Sequence, residues 1–154
     1  MKKMLVAYFS ASGNTRKLAK KIANIGQFDM VEIKPRDEYT RADLNWNDNH
    51  SRTSLERDGK IKAEMLDMQI DMGSYEKIFL AFPIWWSQAP DIINVFLKSA
   101  DFSGKEIFLF ATSGGSGFGS TAEKLAKLVS GADVKEGLIN PKSDKAISDF
   151  IGKL

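Results

Sequence analysis

The sequence predicts an α/β fold: a three-layer, doubly wound, five-stranded parallel sheet in strand order 2-1-3-4-5, within a single domain over residues 1–154. Three observations predict it. Short apolar runs alternate with segments of helical periodicity, the pattern of a parallel sheet covered on both faces. The first apolar run passes directly into a hydroxyl-rich turn and then a helix. The loops of unusual composition follow strands 1, 3 and 4, whose carboxyl ends this topology brings together at one edge of the sheet.

Lys3 to Phe9 forms the first strand, followed by Ser10-Ala11-Ser12-Gly13-Asn14-Thr15. Leu18, Ala19, Ile22, Ala23 and Ile25 then recur at helical spacing over Thr15–Ile25, with Lys17, Lys20 and Lys21 on the wet side. Met30–Ile33 alternates and reads as a second, more exposed strand. Lys34 to about Asp58 is polar and irregular, with a short helix near Ser51–Arg57 whose Arg52, Glu56 and Arg57 read as a solvated face. Ile61–Met68 reads as a further helical turn or two.

Tyr75–Phe82 is the third strand, and its continuous apolar run suits a central position buried on both faces. Pro90 opens a helix at no loss of a needed amide, with Ile92, Ile93, Phe96 and Leu97 facing inward. Glu106–Ala111 is the fourth strand, Ser120–Val129 a helix and Val134–Leu138 a weak fifth strand. Ser143 caps a last helix that turns Ala146, Ile147, Phe150 and Ile151 inward.

Composition excludes several chemistries. There is no cysteine, hence no disulfide, thiolate metal site or cysteine nucleophile, and the single histidine, His50, lies in a polar stretch. A chain this poor in nucleophiles and ligands borrows its chemistry from a cofactor. The net charge of +2, without a basic cluster interleaved with aromatics, argues against nucleic acid. No apolar run approaches the ~20 residues of a membrane span, and the N-terminal apolar stretch lacks a cleavage site. The expectation is a cytoplasmic protein with no membrane insertion.

Three loops carry the chemistry. Ser10–Thr15 makes an anion site: the first amides of a helix have no intrahelical partner and carry partial positive charge, so a phosphate docks there without a dedicated lysine. Ser10, Ser12 and Thr15 add hydroxyls, and Gly13 supplies a positive φ. Neither a Gly-Lys-Ser/Thr closure nor three spaced glycines is present, which rules out the nucleoside-triphosphate and dinucleotide loops. Pro83-Ile84-Trp85-Trp86 continues the third strand into Ser87-Gln88-Ala89-Pro90. Neighbouring side chains of an extended segment point opposite ways, so one indole faces the protein and the other a cleft, where it packs on a planar heterocycle. After strand 4, Thr112-Ser113-Gly114-Gly115-Ser116-Gly117-Phe118-Gly119 has four glycines in six positions, bringing backbone amides within reach of a ligand. The segment Tyr39–Asp48 is long for a connection, and Trp46 within it either shields a ligand or packs under the loop.

Ser10-x-Ser12-Gly13-Asn14-Thr15 resembles the phosphate-binding loop of flavodoxins, and the element order and length resemble the short-chain members of that family. The Pro-Ile-Trp-Trp and Thr-Ser-Gly-Gly-Ser-Gly loops are similar to those of one flavodoxin-like group. The resemblance implies a flavodoxin-like fold with the flavin at the switch point between strands 1 and 3, which is the known arrangement of flavodoxins. It implies FMN rather than FAD, held by Ser10, Ala11, Ser12, Gly13, Asn14 and Thr15 at the phosphate. Pro83, Ile84, Trp85, Trp86, Thr112, Ser113, Gly114, Gly115 and Gly117 would lie around the ring, with no catalytic side chain and no metal. The function implied is electron transfer with a redox partner protein. Two alternatives stand: an NAD(P)H-dependent quinone or nitro-compound reductase, and a flavin-free phosphate-ligand or protein-binding module. A receiver domain shares the strand order but needs acidic residues where Ser10 and Ser12 stand. Two departures from the family pattern matter. Electron-carrier flavodoxins are strongly acidic, and their second loop contains a glycine whose peptide flips on flavin reduction. Ile84–Ala89 has no glycine, and a side chain there raises the cost of positive φ by about 1–2 kcal/mol. Chemistry weighted to two-electron steps is therefore expected.

Overall fold

The computed structural model describes residues 3–154. The strands are β1 (Lys3–Tyr8), β2 (Asp29–Glu32), β3 (Tyr75–Pro83), β4 (Glu106–Thr112) and β5 (Asp133–Ile139). The helices are α1 (Asn14–Gly26), α2 (Arg52–Arg57), α3 (Asp91–Lys98), α4 (Thr121–Ala126) and α5 (Asp144–Gly152). All neighbouring strands pair in parallel, in the order β2-β1-β3-β4-β5. This is the predicted topology.

The period-2 alternation of the central strands divides the core into two layers. Leu5, Ala7, Ile78, Leu80, Phe82, Ile107 and Leu109 turn to one face and pack on Ile92, Ile93, Phe96 and Leu97 of α3 and Leu125 of α4. Val6, Tyr8, Phe79, Ala81, Phe108 and Phe110 turn to the other, against Leu18, Ala19 and Ile22 of α1 and Ile147 of α5. Register places Val6 beside Phe79 and Phe79 beside Phe108. The rings continue outward, Phe28 stacking on Phe79 at 5.0 Å and Phe150 meeting Phe110 edge-on at 5.2 Å. Ser143 caps α5 as predicted, its Oγ accepting from the Ala146 amide at 3.2 Å.

Ile61–Met68 is not helical. Leu66 N donates to Lys34 O at 2.8 Å and Arg36 N to Glu64 O at 2.9 Å, forming an antiparallel bridge between Pro35 and Met65. The period explains the difference. Ala63 is buried and Met65 half-buried while Lys62 and Glu64 are exposed, an alternation of two rather than a helical stripe. The chain after α4 tightens into three-residue turns, Leu128 N to Leu125 O and Val129 N to Ala126 O, so the helix ends earlier than its apolar pattern suggests. β5 runs from Asp133 to Ile139, one residue longer at each end than expected, with a register shift between Leu109 and Ala111. Gly137 lies at that shift, where a Cβ would stand 2.7 Å from Leu109 O.

Candidate functional site

β1, β3 and β4 end side by side, so the loops that follow them are joined. Phe9 N donates to Ala81 O at 3.0 Å and Ile84 N to Thr112 O at 2.8 Å. The hydroxyls of Thr15 and Thr112 meet at 2.8 Å. Thr15 is buried, so its hydroxyl serves this joint between the first and third loops rather than standing open beside Ser12.

The first loop is open where an anion would approach. Gly13 is the N-cap of α1 at φ 97°, and no side chain caps the helix. The ideal Cβ of Gly13 would meet nothing within 4 Å. Ser10 Oγ accepts from Gly13 N at 3.1 Å, which folds the turn and leaves its hydroxyl proton available. The helix-start amides therefore present positive partial charge to open space. Behind them Arg16 donates to Glu32 at 3.0 Å; hydrogen bonds to Tyr8 and then Glu32 favour its charged form.

Beside this loop lies a hollow of about 280 Å³, walled by Ala11 and Ser12, by Pro83, Ile84, Trp85 and Trp86, and by Leu44, Trp46 and Thr53. A second hollow of about 280 Å³ adjoins it through Ala11 and Ser12 and reaches Phe9, Gly13 and Tyr39. Six of the predicted residues therefore line one concavity. Thr112–Gly117 stands apart from those walls, meeting them through the Thr15 and Ile84 contacts.

Both tryptophans line the hollow, and the segment is not extended at Trp86, so the alternation expected of neighbouring side chains does not apply there. Trp85 packs edge-on against Phe9 at 5.7 Å and Tyr39 at 5.8 Å, while Trp86 lies under the Arg57 guanidinium at 4.4 Å. The turn between them and Pro90 is tight. Trp85 and Gln88 exchange backbone hydrogen bonds of 2.9 and 3.1 Å, and Trp86 and Ser87 take φ of 52° and 60°. Positive φ at both central residues marks a type I′ turn, which favours Asn-Gly. The missing glycine does not keep this loop out of the left-handed region, which it occupies twice with side chains in place.

Arg52, Glu56 and Arg57 are not a solvated face. Glu56 is only 5% exposed and accepts the Tyr39 hydroxyl at 2.6 Å and Arg52 Nε at 3.3 Å. Arg52 lies 3.8 Å over the Tyr39 ring and donates to the Asp37 and Glu38 carbonyls. Burial raises the Glu56 carboxyl, opposed by the Tyr39 and Arg52 hydrogen bonds. Burial and then the Glu56 contact push the Tyr39 phenol far above its usual range. Helix α2 is six residues long, so its polar side chains are within reach of the long loop, and they anchor it. Trp46 neither packs beneath that loop nor is covered: it is 67% exposed at the rim of the tryptophan-walled hollow.

Asn140, not anticipated from the sequence, organises the third loop. Its side chain accepts from Ser113 N at 2.9 Å and donates to Ser113 O at 2.7 Å. Ser113 Oγ then donates to Ser116 O and accepts from Gly115 N. The only local signal is an asparagine just past a strand, at φ 44°, where asparagine is tolerated. Ideal Cβ atoms on Gly114, Gly115 and Gly117 meet nothing within 4 Å, so these glycines border open space. Among the described residues no helix is long and apolar enough to cross a membrane, and no acidic or histidine cluster fits a metal.

No curated protein matches the chain. Solved structures do. A candidate flavoprotein of Bacteroides eggerthii is 37% identical at a TM-score of 0.91, covering 99% of this chain and 98% of that one. One from Bacteroides uniformis is 36% identical at 0.87, covering 98% of each. A flavoprotein of Lactobacillus acidophilus, solved in complex with FMN, shares the fold at 0.72 and 22% identity, covering 98% and 99%. The family model described as Flavodoxin matches residues 3–154, and the chain belongs to the flavodoxin family.

Proposed function

We propose that this protein binds FMN at the carboxyl edge of the sheet and acts in electron transfer. One observation carries the reading: an uncapped, glycine-opened helix start adjoins a tryptophan-walled hollow. The first offers hydrogen-bond donors to a phosphate and the second an apolar wall to a planar ring. The family and the FMN-bound relative of the same fold support it. Bound FMN would supply reversible electron acceptance; the protein supplies position, dryness and charge.

In this reading Ser10, Ala11, Ser12, Gly13, Asn14 and Thr15 form the phosphate cradle, with Thr15 acting through its bond to Thr112. Pro83, Ile84, Trp85 and Trp86 exclude water on one side of the ring, and Ser113, Gly114, Gly115 and Gly117 offer backbone groups to its polar edge. The partner is a redox protein, or NAD(P)H with a small acceptor, and the location is cytoplasmic. The near-neutral charge of +2 would give such a partner little long-range steering, so its docking should depend weakly on salt.

The test is a titration of purified protein with FMN and with riboflavin, followed by the visible spectrum after excess is removed. Retained flavin bands with FMN, and binding at least tenfold weaker for riboflavin, are expected from a phosphate cradle. A colourless protein that ignores FMN would overturn the redox reading and favour the flavin-free binding module. Steady-state NAD(P)H oxidation with a quinone then separates reductase from carrier.

A further inference from the structure

A second cleft, of about 270 Å³, lies between α2, α3, α4 and the tryptophan turn, sharing only Thr53, Trp85 and Trp86 with the hollow described above. Its volume is just below the range of drug-sized sites. Its walls are of two kinds. Pro90, Leu125 and Leu128 form an apolar floor, while Arg57, Lys98 and Lys124 bring positive charge.

The cleft's own carboxylates, Glu56 and Asp91, make no ion pair with the lysines. Glu56 is held by Tyr39 and Arg52. Asp91 accepts from the Ala63 amide at 2.9 Å and from Asn94 at 3.2 Å. The Arg57 fork is closed by Asp58, at 2.9 and 3.2 Å, so it is not free for bidentate recognition. The Lys124 ammonium reaches only Gln88 Oε1, at 3.5 Å, and among the described residues the Lys98 side chain makes no hydrogen bond or ion pair. Two ammonium groups without an ion-pair partner thus border an apolar floor in one concavity, across from the hydrogen-bonded carboxylates.

We propose that this cleft is a binding site for a small carboxylic acid with an apolar body, its carboxylate set between Lys98 and Lys124 and its body on Leu125, Leu128 and Pro90. An inorganic anion would meet the lysines but gain nothing from the half-buried Leu128, whereas a neutral hydrocarbon would gain nothing from the lysines. The site stands independently of the flavin reading, because the charged walls belong to neither the first nor the third loop.

The probe is benzoate, titrated into the isotope-labelled full chain and followed by amide chemical shifts, without FMN and again in its presence. Saturable shifts are expected at Gln88, Asn94, Lys124 and Leu128. The exposed double variant Lys98→Met/Lys124→Met should bind at least tenfold more weakly, while Lys127→Met, on the same turn but outside the cleft, should bind as the parent does. Inorganic phosphate should not compete. The proposal is overturned if benzoate leaves those signals unmoved up to about 10 mM, a range that captures even weak binding. It is equally overturned if the double variant binds like the parent, or if phosphate displaces benzoate at equal concentration.

Discussion

The tryptophan turn yields a stability prediction of unusual sign. Ser87 occupies φ 60° with its side chain exposed, and its hydroxyl makes no hydrogen bond among the described residues. The left-handed region costs an L-residue about 1–2 kcal/mol, whereas glycine enters it freely. Against this, glycine loses more conformational freedom on folding, about 0.5–1 kcal/mol. The balance for Ser87→Gly is a gain within about 0–1.5 kcal/mol, centred on about 0.7 kcal/mol. For a domain of this length that raises Tm by about 1–4 °C. Trp86→Gly would not report the same quantity, because it also removes the indole under Arg57. The control is Lys127→Gly, at an exposed position with φ −66°, where glycine brings only its entropic penalty and stability should fall. Thermal and urea unfolding of the flavin-free protein measure both. A Ser87→Gly variant no more stable than the parent, or lowered like Lys127→Gly, would refute the assignment of strain to this turn.

Other outcomes follow from the same geometry. Gly137→Ala should lose about 1–3 kcal/mol and several degrees of Tm, because the added Cβ meets the Leu109 carbonyl and the Phe110 ring, neither free to withdraw; an unchanged Tm would count against the described β4–β5 register. Asn140→Gly keeps the backbone conformation while removing both bonds to Ser113, and should weaken FMN binding about tenfold, measured by flavin fluorescence. Glu106 is held below its ordinary carboxylate range, first by the Lys135 hydrogen bond and also by Lys77. Its contribution is complete above the ordinary value of 4.5 and lost as pH falls through the lowered folded value. Glu106→Gln should therefore flatten the acid limb of stability against pH, with a difference at neutral pH below about 1 kcal/mol because the side chain is one-third exposed.

The sequence by itself determined the alternating α/β class, the two-sided core and the glycine-opened helix start, while the strand order was the doubly wound one that this element count fits. The first three rest on local pattern: continuous apolar runs at residues 75–82 and 106–111, helical spacing after Thr15, and a glycine where the first strand turns. These signals are short-range, and parallel topology leaves few ways to combine them. Tertiary structure alone decided what the long polar segment does. Nothing in the sequence of Arg52, Glu56 and Tyr39 distinguishes surface charge from a buried cluster, because Tyr39 is separated from the other two by more than ten residues and meets them only when the loop folds over Trp85. The same holds for Asn140, which reaches Ser113 from the neighbouring strand end. It holds again for Trp86 and Ser87, whose left-handed conformation opposes their own propensities and is set by the backbone pairing of Trp85 with Gln88. A residue's preference is local, but its burial and its partner depend on which other segments arrive beside it.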